Sequence, residues 1–136
     1  MIIIEVKGSI EKSLKKYKRK FENLKIGLST RPEKKAGDDE TWDHAEAALE
    51  SALKASNVDY HVNEGDGAFY GPKIDVQVSD AIGRFYQLGT VQLDFQLPQR
   101  FDLEYIDHDA QKSTPVIIHR AIFGSIERMI SIILEH

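Results

Sequence analysis

Spaced by its apolar positions, the chain divides into short strands and amphipathic helices. Ile2 to Val6 is a largely β-branched run and predicts a short strand. Ile10, Leu14, Tyr17 and Phe21 then recur at helical spacing, predicting a helix from Ser9 to Phe21 with a basic outer face. Leu24 to Thr30 predicts a strand that stops before Arg31 and Pro32, and Lys34 to Asp39 is a polar loop around Gly37. Asp38 or Asp39 can cap the next helix, whose buried stripe is Trp42, Ala45, Leu49, Ala52 and Leu53. Val58 to Val62 predicts another strand.

A tight turn from Glu64 to Gly67 leads into two long strands, Ala68 to Val78 and Arg84 to Leu97, joined through Asp80 to Gly83. That arrangement predicts an antiparallel hairpin. Phe101 to Asp107 continues as a strand, and His108 to Lys112 is a polar turn. After Pro115, the run from Val116 to Ile118 predicts a closing strand that His119 ends. Gly124 interrupts, and Ile126, Met129, Ile130, Ile133 and Leu134 form the buried stripe of a last helix, with Arg128 off the stripe and Glu127 in the first turn. No repeat or internal linker intervenes. The expected fold is α+β, one domain over residues 1–136, with a mostly antiparallel sheet flanked by helices.

Within the strand from Arg84 to Phe95, Phe85, Val91, Leu93 and Phe95 share one parity, and Tyr86, Leu88, Thr90, Gln92 and Asp94 the other. Thr90, Gln92 and Asp94 therefore line one face. Amides and hydroxyls there can orient a polar ligand without ionising, and they equally suit an exposed sheet face. Gln87 has the wrong parity and joins Gln92 only if a bulge near Gly89 shifts the register. Tyr70 to Lys73 includes Gly71, which permits close approach, and Pro72, which removes a ladder donor. This is either an edge strand starting at Pro72 or a strand whose start shapes a pocket, with Tyr70 and Lys73 as polar tips.

Composition narrows the classes. Hydrophobic content of 41% and charged content of 29% suit a soluble globular domain of 136 residues. The absence of Cys excludes a disulfide framework, a thiol nucleophile and a thiolate metal site supplied by this chain. No apolar run approaches membrane-spanning length, so no membrane partner is expected and the expected location is cytoplasmic. The net charge of −4 divides unevenly: residues 1 to 35 hold 11 of the 18 Lys and Arg, and 4 of the 22 Asp and Glu. The basic run from Lys15 to Lys20 can contact phosphates or serve as a solvated helix face. His44, His61, His108, His119 and His136 show no metal-ligand spacing, and neither a phosphate loop nor a nucleophile elbow is present.

Several blocks occur together: Leu28 to Lys34, Asp38 to Trp42, Gly65 to Asp75, Gln87 to Phe95, Arg100 to Leu103, and Pro115 to His136. In this order they resemble the C-terminal part of the catalytic domain of threonyl-tRNA synthetases, a class II aminoacyl-tRNA synthetase family. The resemblance covers residues 24–136, and 1–23 match only loosely. The last block is similar to the third signature motif of class II enzymes. The resemblance implies a central antiparallel sheet flanked by helices, and an activity that joins threonine to ATP and then to tRNA(Thr). It implies Arg128 stacked on adenine, with Gln87 and Thr90 also toward ATP. It further implies that Tyr70, Lys73 and Gln92 line the threonine and adenylate pocket, and that His119 binds zinc. A zinc ion holding both the amino and hydroxyl groups of threonine rejects its isostere valine, which an apolar pocket does poorly. No catalytic side chain is carried over.

Much of that family's machinery lies outside these motifs. Its first two motifs, including the Arg that grips the ATP phosphates, have no counterpart here, nor do the Cys and second His that complete the zinc site. The expectation is therefore part of a threonine–tRNA ligase that by itself neither activates threonine nor holds zinc tightly. The alternative is a stand-alone protein that binds a nucleotide or tRNA without catalysis. Losing half a sheet exposes a strand edge, which favours self-association.

Overall fold

The computed structural model describes residues 2–17, 21 and 23–135. Its elements in chain order are α1 (Ile2–Tyr17), β1 (Leu24–Ser29), α2 (Asp39–Ala55), β2 (His61–Asn63), β3 (Lys73–Ser79), β4 (Phe85–Asp94), α3 (Gln96–Arg100), β5 (Tyr105–Ile106), β6 (Lys112–Ser113), β7 (Ile117–Ala121) and α4 (Ile126–Glu135). Five strands form one sheet in the order β2-β1-β3-β4-β7, and β5 with β6 makes a separate small hairpin. Among the described residues only β1 and β2 run parallel, so the mostly antiparallel expectation holds.

Register explains the layering. Leu24, Ile26 and Leu28 lie opposite Val78, Val76 and Ile74, and Ile74 lies opposite Val91. These apolar residues share one face of the sheet, as period two requires. Val6, Ile10 and Leu14 of α1 and the α2 stripe pack on that face, and Ile132 of α4 joins Val78 and Leu88. All three long helices therefore cover one side, and the other side of the sheet carries the polar residues.

Asp38 caps α2, its carboxylate accepting from the Thr41 backbone N–H at 2.8 Å. Those hydrogen bonds from the Thr41 backbone and hydroxyl hold the Asp38 carboxyl below its ordinary range. Arg31 ties the end of β1 to α2 through Glu46 and Asp43, which raise its pKa further.

Several expectations are corrected. Ile2 to Val6 is helical, because Val6 continues the i, i+4 stripe of Ile10 and Leu14, which the local β-branched run obscures. The far end of the expected helix, and much of the basic run, lie outside the described residues at 18–20. Strand structure near Val58 begins only at His61, and β3 begins at Lys73, with Ala68 to Gly71 forming a turn closed by one bridge. β3 lies between β1 and β4 and is not an edge strand. β4 ends at Asp94, whose carboxylate accepts from the backbone N–H groups of Gln96 and Leu97 and starts α3. Phe101 to Asp107 keeps strand geometry only at Tyr105–Ile106.

The last helix is turned from its expected orientation. Ile132 is buried, whereas Ile126, Ile130, Ile133 and Leu134 are exposed. Met129 and Ile132 pack toward the sheet, and Arg128 projects from the same side.

Candidate adenylate-pocket wall

The polar face follows from a bulge. Val76 lies opposite Gly89, but Gln77 lies opposite Gln87, so β4 carries Leu88 as an extra residue. The shift brings Gln87 onto the face of Thr90, Gln92 and Asp94, as the Gly89 signal allowed. Opposite these lie Lys73 and Asp75 of β3 on one side and His119 and Ala121 of β7 on the other. Every side chain selected from the sequence lies on this face or its rim.

Their contacts are specific. Tyr70 Oη donates to Gln92 Oε1 at 2.6 Å, and the Tyr70 ring meets the His119 imidazole edge-on at 6.2 Å between centroids. His119 lies inside β7, opposite Gln92, and its Nε2 is 2.9 Å from Asp94 Oδ2. A carboxylate only accepts, so Nε2 is the protonated nitrogen in this pair. Phe69, Tyr70, Asp94, Gln96, Leu97, Arg100 and His119 line a cleft of about 230 Å³. Gly71 allows the approach of turn and strand: a Cβ there would lie 1.7 Å from the Leu93 carbonyl oxygen.

At the other end, Lys73 Nζ donates to Asp75 Oδ2 at 2.8 Å and to Asp66 at 3.2 Å. Burial disfavours the Lys73 cation, but Asp75 and Asp66 outweigh it and raise the ammonium pKa. Gln87 Nε2 donates to Asp75 Oδ1 at 2.5 Å. Thr90 Oγ1 is buried and finds no hydrogen-bond partner among the described residues. Arg128, at the start of α4, donates from Nη1 to the Gln87 carbonyl at 3.2 Å, with its guanidinium 5.8 Å from the Tyr86 ring centre. Gly124 (φ +57°) lets the chain turn tightly past the bulge, where a Cβ would meet the Leu88 carbonyl at 2.5 Å.

A zinc ion open to substrate takes three protein ligands. At His119 the described residues supply one imidazole and one carboxylate, and that carboxylate already starts α3. This donor set does not fit zinc by itself. Elsewhere Asp107, His108 and Asp109 cluster on an exposed turn, but Asp107 there accepts from the backbone of Asp109 and Gln111 and closes the β5–β6 hairpin.

Sequence reasoning passed over Asp75, which holds two candidates, Lys73 and Gln87. It placed Asp94 on the face but gave it no partner, and Asp94 touches a third candidate, His119. The signal was available: an acid in an otherwise apolar alternation, as in Ile74-Asp75-Val76 and Leu93-Asp94-Phe95.

A helix-backed, mostly antiparallel sheet is the architecture of a class II synthetase core, and the chain belongs to that family: residues 4–136 match the tRNA synthetase class II core domain (G, H, P, S and T). Within it, the chain is similar to threonine–tRNA ligases. It is 59% identical to the threonine–tRNA ligase of Desulforamulus reducens over 84% of this chain and 18% of that protein. It is 52% identical to the threonine–tRNA ligase catalytic subunit of Metallosphaera sedula over 97% of this chain and 25% of that one. A crystal structure described as the RNA binding domain of threonyl-tRNA synthetase from Cryptosporidium parvum superposes with a TM-score of 0.92, at 49% identity, over 99% of this chain and 34% of that chain. The chain thus spans about a fifth to a quarter of the length of these curated relatives.

Proposed function

We propose that this chain forms one wall of the threonyl-adenylate pocket of a threonine–tRNA ligase. The observation that carries the reading is the Leu88 bulge, which brings Gln87 onto the face that Thr90, Gln92, His119 and Lys73 share, with Tyr70 and Arg128 at its rim. Tyr70 and Gln92 orient the amino acid. Lys73 offers a fixed cation to its carboxylate or to the α-phosphate. The unpaired Thr90 hydroxyl suits a ligand atom, because a buried polar group left unpaired is costly. Gln87 faces the nucleotide, and the planar Arg128 cation covers the adenine. In the complete enzyme the threonine carboxylate displaces pyrophosphate from ATP, and the resulting adenylate passes threonine to tRNA(Thr).

His119 is proposed as one ligand of a zinc ion whose other protein ligands come from outside residues 1–136. Residues 1–136 alone are inactive under this reading, because zinc coordination and the phosphate clamp are incomplete. The proposed compartment is the cytoplasm. No described helix is long and apolar enough to cross a membrane.

Titration with ATP and with a non-hydrolysable threonyl-adenylate analogue tests the wall. Saturable binding of the analogue, abolished by Q92A, is expected. No binding of either, at concentrations where the chain stays folded, overturns the reading. Threonine-dependent pyrophosphate exchange by the pure chain would overturn the expected inactivity.

A further inference from the structure

Asp75 is 1% exposed at the centre of the sheet, yet it lies on the face opposite the described long helices. Its lateral neighbours in the ladders are Gly27, which has no side chain, and Thr90. Burying a carboxylate costs stability unless it is paired and fully hydrogen-bonded, and a well-packed apolar residue commonly serves stability as well or better. The partners Asp75 holds point to its role. Oδ2 accepts from Lys73 Nζ at 2.8 Å and from Ser29 Oγ at 3.1 Å. Oδ1 accepts from Gln87 Nε2 at 2.5 Å. Each oxygen thus holds one of the two pocket residues that flank it.

Resting on the adenylate-pocket reading, we propose that Asp75 is the positioning residue of the polar face, fixing the place of the Lys73 ammonium and the polarity of the Gln87 amide. Lys73 has a long flexible stem whose free head samples many rotamers. Asp75 and Asp66 pin that head until its side chain is only 13% exposed. Gln87 can present either end of its amide, and an ionised carboxylate accepts only donors. Asp75 therefore takes the NH₂ end and leaves the carbonyl oxygen for a donor on the ligand, such as a hydroxyl or amino group. Asp75 touches no ligand itself. Its effect on recognition passes through these two side chains.

Asp75→Asn is the test, because it keeps shape while removing charge and adding a donor. The first readout needs no ligand: ¹⁵N NMR of the Lys73 ammonium and the Gln87 side-chain amide in the chain alone. D75N is expected to expose the Lys73 ammonium to faster solvent exchange and to shift the Gln87 amide signals as the amide reverses. Gln87→Met, which leaves the ion pair intact, is expected to leave the Lys73 signal in place. Unchanged Lys73 and Gln87 signals in D75N overturn the proposal, as does a Lys73 shift in Q87M as large as in D75N. Circular dichroism of D75N checks the fold. If D75N does not fold, a Lys73 ammonium in Q87M that exchanges as fast as an exposed lysine overturns the proposal, and a retained slow signal supports it.

The second readout is a double-mutant cycle on ATP affinity. Lys73→Met is expected to weaken binding about tenfold in the wild-type background and less than about twofold in the D75N background. Equal losses in both backgrounds overturn the claim that Asp75 acts through Lys73. Absent binding of both ATP and the threonyl-adenylate analogue by wild type, with the NMR changes present, removes the adenylate reading and leaves the positioning of Lys73 and Gln87 by Asp75 standing.

Discussion

Asp94 reaches diagonally across the β4–β7 ladder to His119, placing Oδ2 at 2.9 Å from Nε2, while its other oxygen accepts the two first backbone N–H groups of α3. One buried carboxylate thus couples the start of a helix to the imidazole of the polar face. Asp94→Ala leaves those N–H groups unpaired and is expected to destabilise the fold by about 2–4 kcal/mol, measured by denaturant unfolding. Asp94→Asn keeps the helix acceptor but turns a donor toward the ring. Its expected signature is a change of His119 tautomer, with the proton moving from Nε2 to Nδ1, read by imidazole ¹⁵N shifts.

Gly71 is a steric requirement. A Cβ there meets a backbone carbonyl of β4, which cannot move without breaking the ladder. Gly71→Ala is expected to lose about 2–4 kcal/mol of stability and to separate Tyr70 from Gln92. Emission from the single Trp, Trp42, buried at the start of α2, reports the unfolding midpoint. A midpoint equal to wild type would contradict the close approach.

Acid sensitivity follows from depressed carboxyl groups. Asp38 is lowered by its hydrogen bonds from Thr41, Asp39 by Lys35, Glu50 by Lys54, and Asp107 by the backbone of Gln111. Their folded pKa values lie below the unfolded ones, so their stabilisation is complete above the unfolded carboxyl range, near 4, and is lost as pH falls through the folded values. Thermal midpoints are expected to be flat near neutrality and to fall below about pH 4. Asp38→Asn, which caps without titrating, is expected to match wild type at neutral pH and to fall less steeply in acid.

Arg128 contacts the Gln87 carbonyl from the rim and carries little of the core. Arg128→Ala and Arg128→Lys are both expected to weaken ATP binding about fivefold or more, because Lys keeps the charge but not the plane, with the thermal midpoint unchanged. Full affinity in the Lys variant would mean that charge alone acts there.

β7 ends the sheet, and the outer face of α4 beside it exposes Ile126, Ile130, Ile133 and Leu134. The isolated chain is expected to self-associate through this edge and face. Sedimentation should show mass rising with concentration, and I130K with L134K should return it to monomer without loss of stability. A wild-type monomer at all concentrations would contradict this.

Much of the site was legible because it was written locally. Gly89 in an apolar strand signalled the bulge that admits Gln87, and Gly71 before Pro72 signalled the close approach at Tyr70. The motif blocks are what made Arg128 and His119 candidates. The burial and partners of Asp75 and Asp94 were harder, because a buried Asp and an exposed Asp look alike until their neighbours are known.

By itself the sequence determined the succession of long elements from β1 to β4, a cap for α2 at Asp38 or Asp39, the antiparallel pairing of β3 with β4 and the polar parity of Thr90, Gln92 and Asp94, all properties of neighbours along the chain. Only the tertiary structure decided that Ile2 to Val6 is helical, that α4 buries Ile132 rather than its larger apolar stripe, and that Asp75 and Asp94 hold the residues above them. Periodicity reveals that a face exists. What that face meets depends on segments tens of residues away, and packing alone brings them together.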